Sequence, residues 1–345
     1  MNYILGGTYK SLLFALYLKN VLGEKTTIVT YKTHMIEFCK NQKMDYIKLD
    51  KIEINFLSIH KFFILKKMLD NSIKKINPKK GDNFFLLGNT KAHKFLYISQ
   101  ELSKKGFKVW YKMIDWDGNE FERFKLPWYK PVFIRGTIIR LMFKIFLDLD
   151  LVYYFANNHP FLGIDDNYFK KYNIEQYKPN QSSEDLLFES IEAYKKEKDP
   201  FECLIIGDAD LNNIINLNSL EKLFKNILEL SIDFAYKKHP APLGRSEIDK
   251  KYYNIFKDCK ELPEYEPVEL FFSNDNGSVL SVYSGALITA SKFSNLNTIS
   301  LLELVKWKSE KNKNEVKKIL MDASNNKILF PKNYEELKDL LLNVD

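Results

Sequence analysis

An α/β protein made of two parallel-sheet domains in series is the fold this sequence predicts, and three observations predict it. At 345 residues the chain exceeds what one compact core usually holds. Short apolar runs that read as strands recur between segments with helical spacing, the pattern of βαβ units. That rhythm breaks in a proline-punctuated middle and resets at Asp199-Pro200, dividing the chain into 1–198 and 199–345.

Residues Asn2–Leu5 form an apolar run that stops at Gly6-Gly7. Tyr9–Val21 then places Leu12, Leu13, Ala15, Leu16 and Leu18 at helical spacing, with Thr8 or Ser11 near its start. Thr26–Tyr31 is β-branched and reads as a strand. A helix near Ile59–Leu69, a buried strand at Phe84–Gly88, a helix near Ala92–Lys104 and a strand at Phe107–Ile114 follow. The middle carries Pro127, Pro131, Pro160 and Pro179, with an aromatic and basic run from Lys125 to Leu147. After it, Ser183–Lys196 reads as an amphipathic helix whose acidic start and basic end complement the helix dipole.

Beyond Asp199-Pro200 the alternation returns. Strands are predicted at Phe201–Ile206, Ile232–Tyr236, near Glu269–Phe272, at Val279–Tyr283, Thr298–Leu302 and Lys327–Phe330. Helices are predicted near Leu220–Leu230 and Ser246–Phe256. Both halves therefore read as Rossmann-like. Two such domains facing across a central cleft would present the carboxyl ends of their sheets, where open α/β folds bind ligands.

Composition narrows the function classes. Hydrophobic residues make up 45% of the chain, which excludes wholesale disorder. A formal charge of +7 favours anionic partners without choosing among nucleotides, acidic glycans and lipid headgroups. Cys39, Cys203 and Cys259 are odd in number and lack a CxxC spacing, so a reducing, cytoplasmic setting is expected. The N-terminal apolar run has no basic residue before it and is broken by Lys10, so it reads as strand, turn and helix rather than a secretory signal. No run reaches the roughly 20 apolar residues that span a bilayer.

Several residues at strand ends are candidates for chemistry. Asp117 follows an apolar strand in MIDWDGNEF, where a carboxylate could act as general base or Asp117-Gly118 could be an ordinary turn. Lys237, Lys238 and His239, followed by Pro240, leave the strand SIDFAY and form either a phosphate-binding loop or a basic surface turn. Ser284-Gly285 ends a strand and opens a short helix, so it is a phosphate-contacting helix end or a plain N-cap. Glu269, in ELPEYEPVELFF, could bridge two ribose hydroxyls or sit in a solvated acidic loop. Among three DxD triplets, Asp208 and Asp210 are the pair worth testing for a divalent metal. His159-Pro160 is read as loop. Between Lys125 and Leu147, cations among aromatics suit an acidic glycan, an anionic membrane surface, or a core helix with a basic rim.

Taken in order, Asp117-Gly118, Lys238-His239-Pro240, Pro267-Val268-Glu269 and Ser284-Gly285 resemble the motifs of bacterial GT-B sialyltransferases. That group includes lipooligosaccharide sialyltransferases and capsular polysialyltransferases. Trp116 stands where the family's first motif has an acid, which leaves Asp115 as a second candidate base, and Gly285 replaces a hydroxyl residue. The resemblance implies a GT-B fold, with 1–198 on the acceptor side, 199–345 on the donor side, and the last helix packing back on the first domain. It implies an inverting transfer of sialic acid from CMP-sialic acid to a surface glycan hydroxyl. Asp117 would be the general base and His239 would assist the departing CMP phosphate. Lys238, Pro240, Ser284 and Gly285 would line the donor site, with Glu269 at the ribose.

By the same resemblance no metal and no cofactor are needed, because a CMP-sugar carries a single phosphate. The expected partners are a CMP-sugar donor, a glycan acceptor and the cytoplasmic face of the inner membrane as a peripheral contact. Nucleic acid is not expected. Three other readings stand beside this one: transfer of Kdo or another nonulosonic acid, a metal-dependent UDP-sugar transferase using Asp208 and Asp210, and a non-catalytic glycan-binding subunit of a capsule assembly complex.

Overall fold

A computed structural model describes residues 1–50, 59–87, 93–112, 124–125, 134–156, 159–163, 166–177, 189–191, 194, 201–208, 214–239, 254–272 and 277–342. The chain divides into two compact units, with the changeover between Ala193 and Tyr194. Each unit is built on its own parallel sheet, and the two sheets share one strand order.

In the first unit the strands are β1 (Asn2–Leu5), β2 (Thr26–Thr30), β3 (Asp45–Lys48), β4 (Asn83–Leu87) and β5 (Lys108–Lys112), with β9 (Glu175–Gln176) at one edge. Their order is β3-β2-β1-β4-β5-β9, all parallel, which is the doubly wound order. β1 lies between β2 and β4, so Tyr3 pairs with Thr27 on one side and Phe84 on the other. Its four residues are all buried, because a central parallel strand is covered on both faces. Tyr3 stacks on Phe84 with ring centroids 4.9 Å apart at the centre of this core.

Helices α1 (Tyr9–Leu16), α2 (Thr33–Asn41), α3 (Ile59–Ile76) and α4 (His93–Lys104) connect the strands. α5 (Ile134–Leu147) and the short α6 (Asp166–Lys171) follow in the middle of the chain. There the expected irregular segment contains a small antiparallel sheet: β6 (Phe124–Lys125), β7 (Val152–Ala156) and β8 (His159–Gly163). His159-Pro160 therefore begins a strand and is not loop, because β7 pairs with it residue by residue.

The second sheet is β10 (Cys203–Ile206), β11 (Phe234–Lys237), β12 (Lys260–Glu261), β13 (Ser278–Ser281) and β14 (Asn297–Ser300). It runs β12-β11-β10-β13-β14, again parallel throughout. α7 (Leu217–Leu228) buries Leu220, Leu223, Phe224 and Ile227 along one stripe. Its start is fixed by Asn216, whose side chain accepts from the backbone N–H groups of Asn218 and Ser219. α8 (Gly285–Phe293), α9 (Glu310–Ala323) and α10 (Tyr334–Leu342) complete the unit.

Two expectations are corrected here. The run expected as a strand near Glu269 is a 3-10 helix, Val268–Phe271, entered from Pro267, whose fixed φ favours a turn. Lys327–Phe330 contributes a single bridge, Ile299 to Leu329, rather than a strand. The last helix sends Leu337 and Leu341 into the second unit's own core, and its Tyr334 hydroxyl donates to the Asn226 carbonyl at 2.8 Å.

Gly277 explains how β13 begins. It has φ +131°, and a Cβ there would lie 2.7 Å from the Glu202 carbonyl oxygen. Only glycine lets this backbone pass beside β10, where Ser278 N–H donates to that same carbonyl at 2.8 Å.

Candidate functional site

In a doubly wound sheet the strand order reverses at one place, and ligands bind beyond the strand ends there. In the second sheet that place lies between β10 and β13. β10 runs out through Gly207 into Asp208, and Gly207 N–H still donates to the Lys237 carbonyl of β11 at 2.9 Å. β13 runs out through Val282 and Tyr283 to Ser284, where α8 begins.

Asp208 joins the two exits. Its carboxylate accepts from Ser281 Oγ at 2.8 Å, from Val282 N–H at 2.9 Å and from Tyr283 N–H at 2.9 Å. The Ser284 N–H adds to this set. On the other side of the turn, Ser300 Oγ donates to the Val282 carbonyl at 2.7 Å. The backbone from 281 to 284 is thereby held from both neighbouring strands. Asp208 is wholly buried, and that burial pushes its carboxyl up to about 6 while the surrounding donors pull it back down. In this structure the carboxylate serves as the shared acceptor that ties the turn together. Asp210 lies outside the described residues.

Ser284 has an extended backbone, and its Oγ accepts from Ala286 N–H at 3.3 Å, the geometry of an N-cap. Gly285 is exposed at the first turn of α8. This leaves a positive helix end with a hydroxyl and small residues beside it, which suits a phosphate group.

One strand further over, β11 delivers Lys237, Lys238 and His239. Lys237 is the buried one: its ammonium donates to the Pro263 carbonyl at 2.7 Å. Burial lowers its pKa to about 8, opposed by the carboxylates of Glu264, Glu269, Glu266 and Glu261. Lys238 points the other way into an exposed ion pair with Glu261 at 2.7 Å. His239 is half-buried just past the strand end.

Lys237 also explains where Glu269 goes. It holds Pro263, Glu266 N–H turns back to the Pro263 carbonyl at 3.2 Å, and Pro267 starts the 3-10 turn that carries Glu269. That turn packs on α8, with Phe271 and Phe272 against Leu287 and Ile288 and with Val268 and Ala286 at the margin. Glu269 is thus brought to the same helix that begins at Ser284.

Of the residues singled out in the sequence, Lys238, His239, Ser284 and Gly285 therefore follow strands of one parallel sheet at the same end, and Glu269 lies on the turn packed against α8. Adjacent strands are about 4.8 Å apart, so the β11 and β13 exits flank Asp208 across roughly 10 Å. Asp115, Asp117, Gly118 and Pro240 lie outside the described residues. The sequence reading missed the organising parts: Asp208 as a turn holder, Ser281 and Ser300 as its partners, and Lys237 as the anchor of the acidic loop. A buried-strand run ending in Gly-Asp was the one signal available for Asp208.

No protein-family model matches the chain, and no curated protein matches it. Among solved structures, the glycosyltransferase SnogD from Streptomyces nogalater aligns with 99% of this chain and 90% of its own at 11% identity, TM-score 0.43. MurG from Acinetobacter baumannii aligns over 99% and 88% at 12% identity, TM-score 0.39. The E. coli heptosyltransferase WaaC, solved with ADP-2-deoxy-2-fluoro heptose, aligns over 87% and 88% at 9% identity, TM-score 0.39.

Proposed function

We propose that this chain is an inverting GT-B glycosyltransferase that takes sialic acid from CMP-sialic acid and places it on a glycan hydroxyl. One observation supports the reading: the Ser284 helix end lies at the switch point of a Rossmann-like sheet, with the β11 exit one strand beyond β10 and the Glu269 turn packed on the same helix. An anionic phosphate suits the helix end at Ser284, with Lys238 and His239 two strands away at the same end of the sheet, and a vicinal diol suits the carboxylate of Glu269. A nucleoside monophosphate ester has both groups.

In the proposed reaction the acceptor oxygen attacks the anomeric carbon as the bond to the CMP phosphate oxygen breaks. The acceptor proton passes to a carboxylate, Asp117 or Asp115, and CMP leaves with the bond's electron pair. His239 hydrogen-bonds or protonates the departing phosphate, which makes CMP a better leaving group at neutral pH. Ser284 and the first N–H groups of α8 hold that phosphate against the positive helix end.

The test is release of CMP from CMP-sialic acid in the presence of a panel of glycan acceptors. Transfer is expected in wild type and is expected to fall at least about a hundredfold in His239→Ala and Asp117→Ala, with unfolding temperatures retained. Transfer from CMP-Kdo in preference to CMP-sialic acid would replace the donor in this reading. Unchanged transfer in both variants would remove the assigned roles.

A further inference from the structure

A second surface, far in sequence from the Ser284 site, has an unusual chemistry. α3 and α5 pack side by side in the first unit, with Phe62 against Phe143 at 5.4 Å and Phe63 against Phe146 at 4.7 Å between ring centroids. Phe62 and Phe143 are buried, as a helix contact requires. The next residues outward are not. Phe63 and Ile64 on α3 are 60% and 52% exposed, and Leu141 and Ile145 on α5 are 56% and 63% exposed. Leu141 and Ile145 are one helical turn apart and so share a face, and the Phe63–Phe146 contact links that face to α3. Four large apolar side chains are therefore presented to solvent as one ridge, where a soluble helix normally puts polar groups.

The charges around the ridge are unequal. Arg140 and Lys144 on α5 are drawn to Asp150 and Asp148, at 3.7 Å and 3.3–3.5 Å. Those cations are held in ion pairs at the helix end, on carboxylates that Lys104 and Lys171 also share. On α3 the position differs. Lys66, Lys67, Lys74 and Lys75 are exposed along the helix, and its one acid, Asp70, accepts from the Tyr97 hydroxyl at 2.8 Å. The helix thus carries an apolar tip followed by a face on which four lysines outnumber one acid.

We infer that the α3–α5 ridge docks on an anionic lipid surface. Phe63, Ile64, Leu141 and Ile145 enter the headgroup boundary while Lys66, Lys67, Lys74 and Lys75 meet the lipid phosphates. Charge complementarity selects this occupant: an apolar ridge alone would fit a second copy of the chain, but two such ridges would bring two sets of α3 lysines together. The lysine-rich face and exposed aromatic tip match what interfacial helices use to bind acidic bilayers. This inference stands independently of the glycosyltransferase reading, and it places the membrane-facing chemistry mainly on α3 instead of the basic residues of α5.

The experiment is co-sedimentation of the purified chain with vesicles of phosphatidylcholine, with and without phosphatidylglycerol, at physiological salt. Wild type is expected to bind the anionic vesicles and not the neutral ones, and to be released by high salt. The double variant Phe63→Glu, Ile145→Glu and the double variant Lys66→Gln, Lys67→Gln are each expected to lose about tenfold or more in binding. The lysine pair is fully on the surface, so it reports on docking even if the apolar pair disturbs folding. Size-exclusion chromatography is run on the same samples. Absence of binding to anionic vesicles, equal binding to neutral ones, or unchanged binding in the lysine variant overturns the inference. So does a wild-type dimer that becomes monomeric in the apolar variant, which assigns the ridge to self-association.

Discussion

Asp208 binds three successive residues of one turn through a single buried carboxylate. Replacing it with alanine strands the buried N–H groups of Val282 and Tyr283 together with Ser281 Oγ. Asp208→Ala is therefore expected to cost about 3–5 kcal/mol in urea unfolding, and Asp208→Asn, which keeps one acceptor oxygen, about 1–3 kcal/mol. Equal stability of all three proteins would show that the turn is held elsewhere. Asp148 offers a pH test. Burial works against its charge, but the Tyr172 hydroxyl and the Lys171 and Lys104 ammoniums outweigh it and hold its carboxyl down to about 2. A depressed pKa adds stability that is present above the unfolded value near 4 and is lost as pH falls through about 2. Asp148 is 45% exposed, so solvent screening reduces the effect to about 1 kcal/mol. Asp148→Asn should be less stable than wild type by that amount at neutral pH, since asparagine tolerates the φ of +53° found here. The difference should close below about pH 2; a difference that persisted there would point to packing and not charge.

At the scale of elements, what the sequence reveals depends on how its signal is carried. β1, β4 and β10 were legible because strands covered on both faces are largely apolar, and β2 because its run TTIVT is β-branched. β3, with the sequence DYIK, lies at a sheet edge and is largely exposed, so no apolar run announced it. The segment VELF looked like a strand because its apolar residues are close together. Its backbone instead follows Pro267 into a 3-10 turn whose Phe271 reaches the second core. The start of α8 was legible from Ser284-Gly285, whereas the helper that fixes it was not, since Asp208 lies 76 positions earlier than Ser284 in the chain. Ser284→Ala removes the N-cap and should cost about 1 kcal/mol of stability. On the proposed reading it also weakens CMP binding by about tenfold or more, which calorimetric titration would measure. At the β1–α1 turn, a Cβ on Gly6 would collide with Ser11 Oγ and lie 2.7 Å from Ser11 Cβ. Gly6→Ala should therefore destabilise by about 1–3 kcal/mol, and by less in a Ser11→Gly background. Additive losses in that double-mutant cycle would mean that the two residues do not meet.

The whole molecule is two sheets that solve the same problem twice. Both run with a first strand in the centre, so both have a switch point, at β1 and β4 in one and at β10 and β13 in the other. The described parts of the second switch point are furnished with a capped helix end, a half-buried histidine and an acidic turn. Those of the first have the Gly6–Ser11 turn. On the proposed reading the donor sits at the second switch point, as the family resemblance implies. Two-domain architecture was legible from the return of the strand–helix rhythm after Asp199-Pro200; the shared strand order was not, because order is set by which exposed edges remain to be paired. Hydrogen exchange read by mass spectrometry, with and without saturating CMP-sialic acid, tests the central claim most directly. The account predicts protection in peptides spanning 203–208, 234–239, 262–272 and 278–287, with UDP-glucose giving none. No protection by any nucleotide-sugar, or protection confined to the first unit, would contradict it.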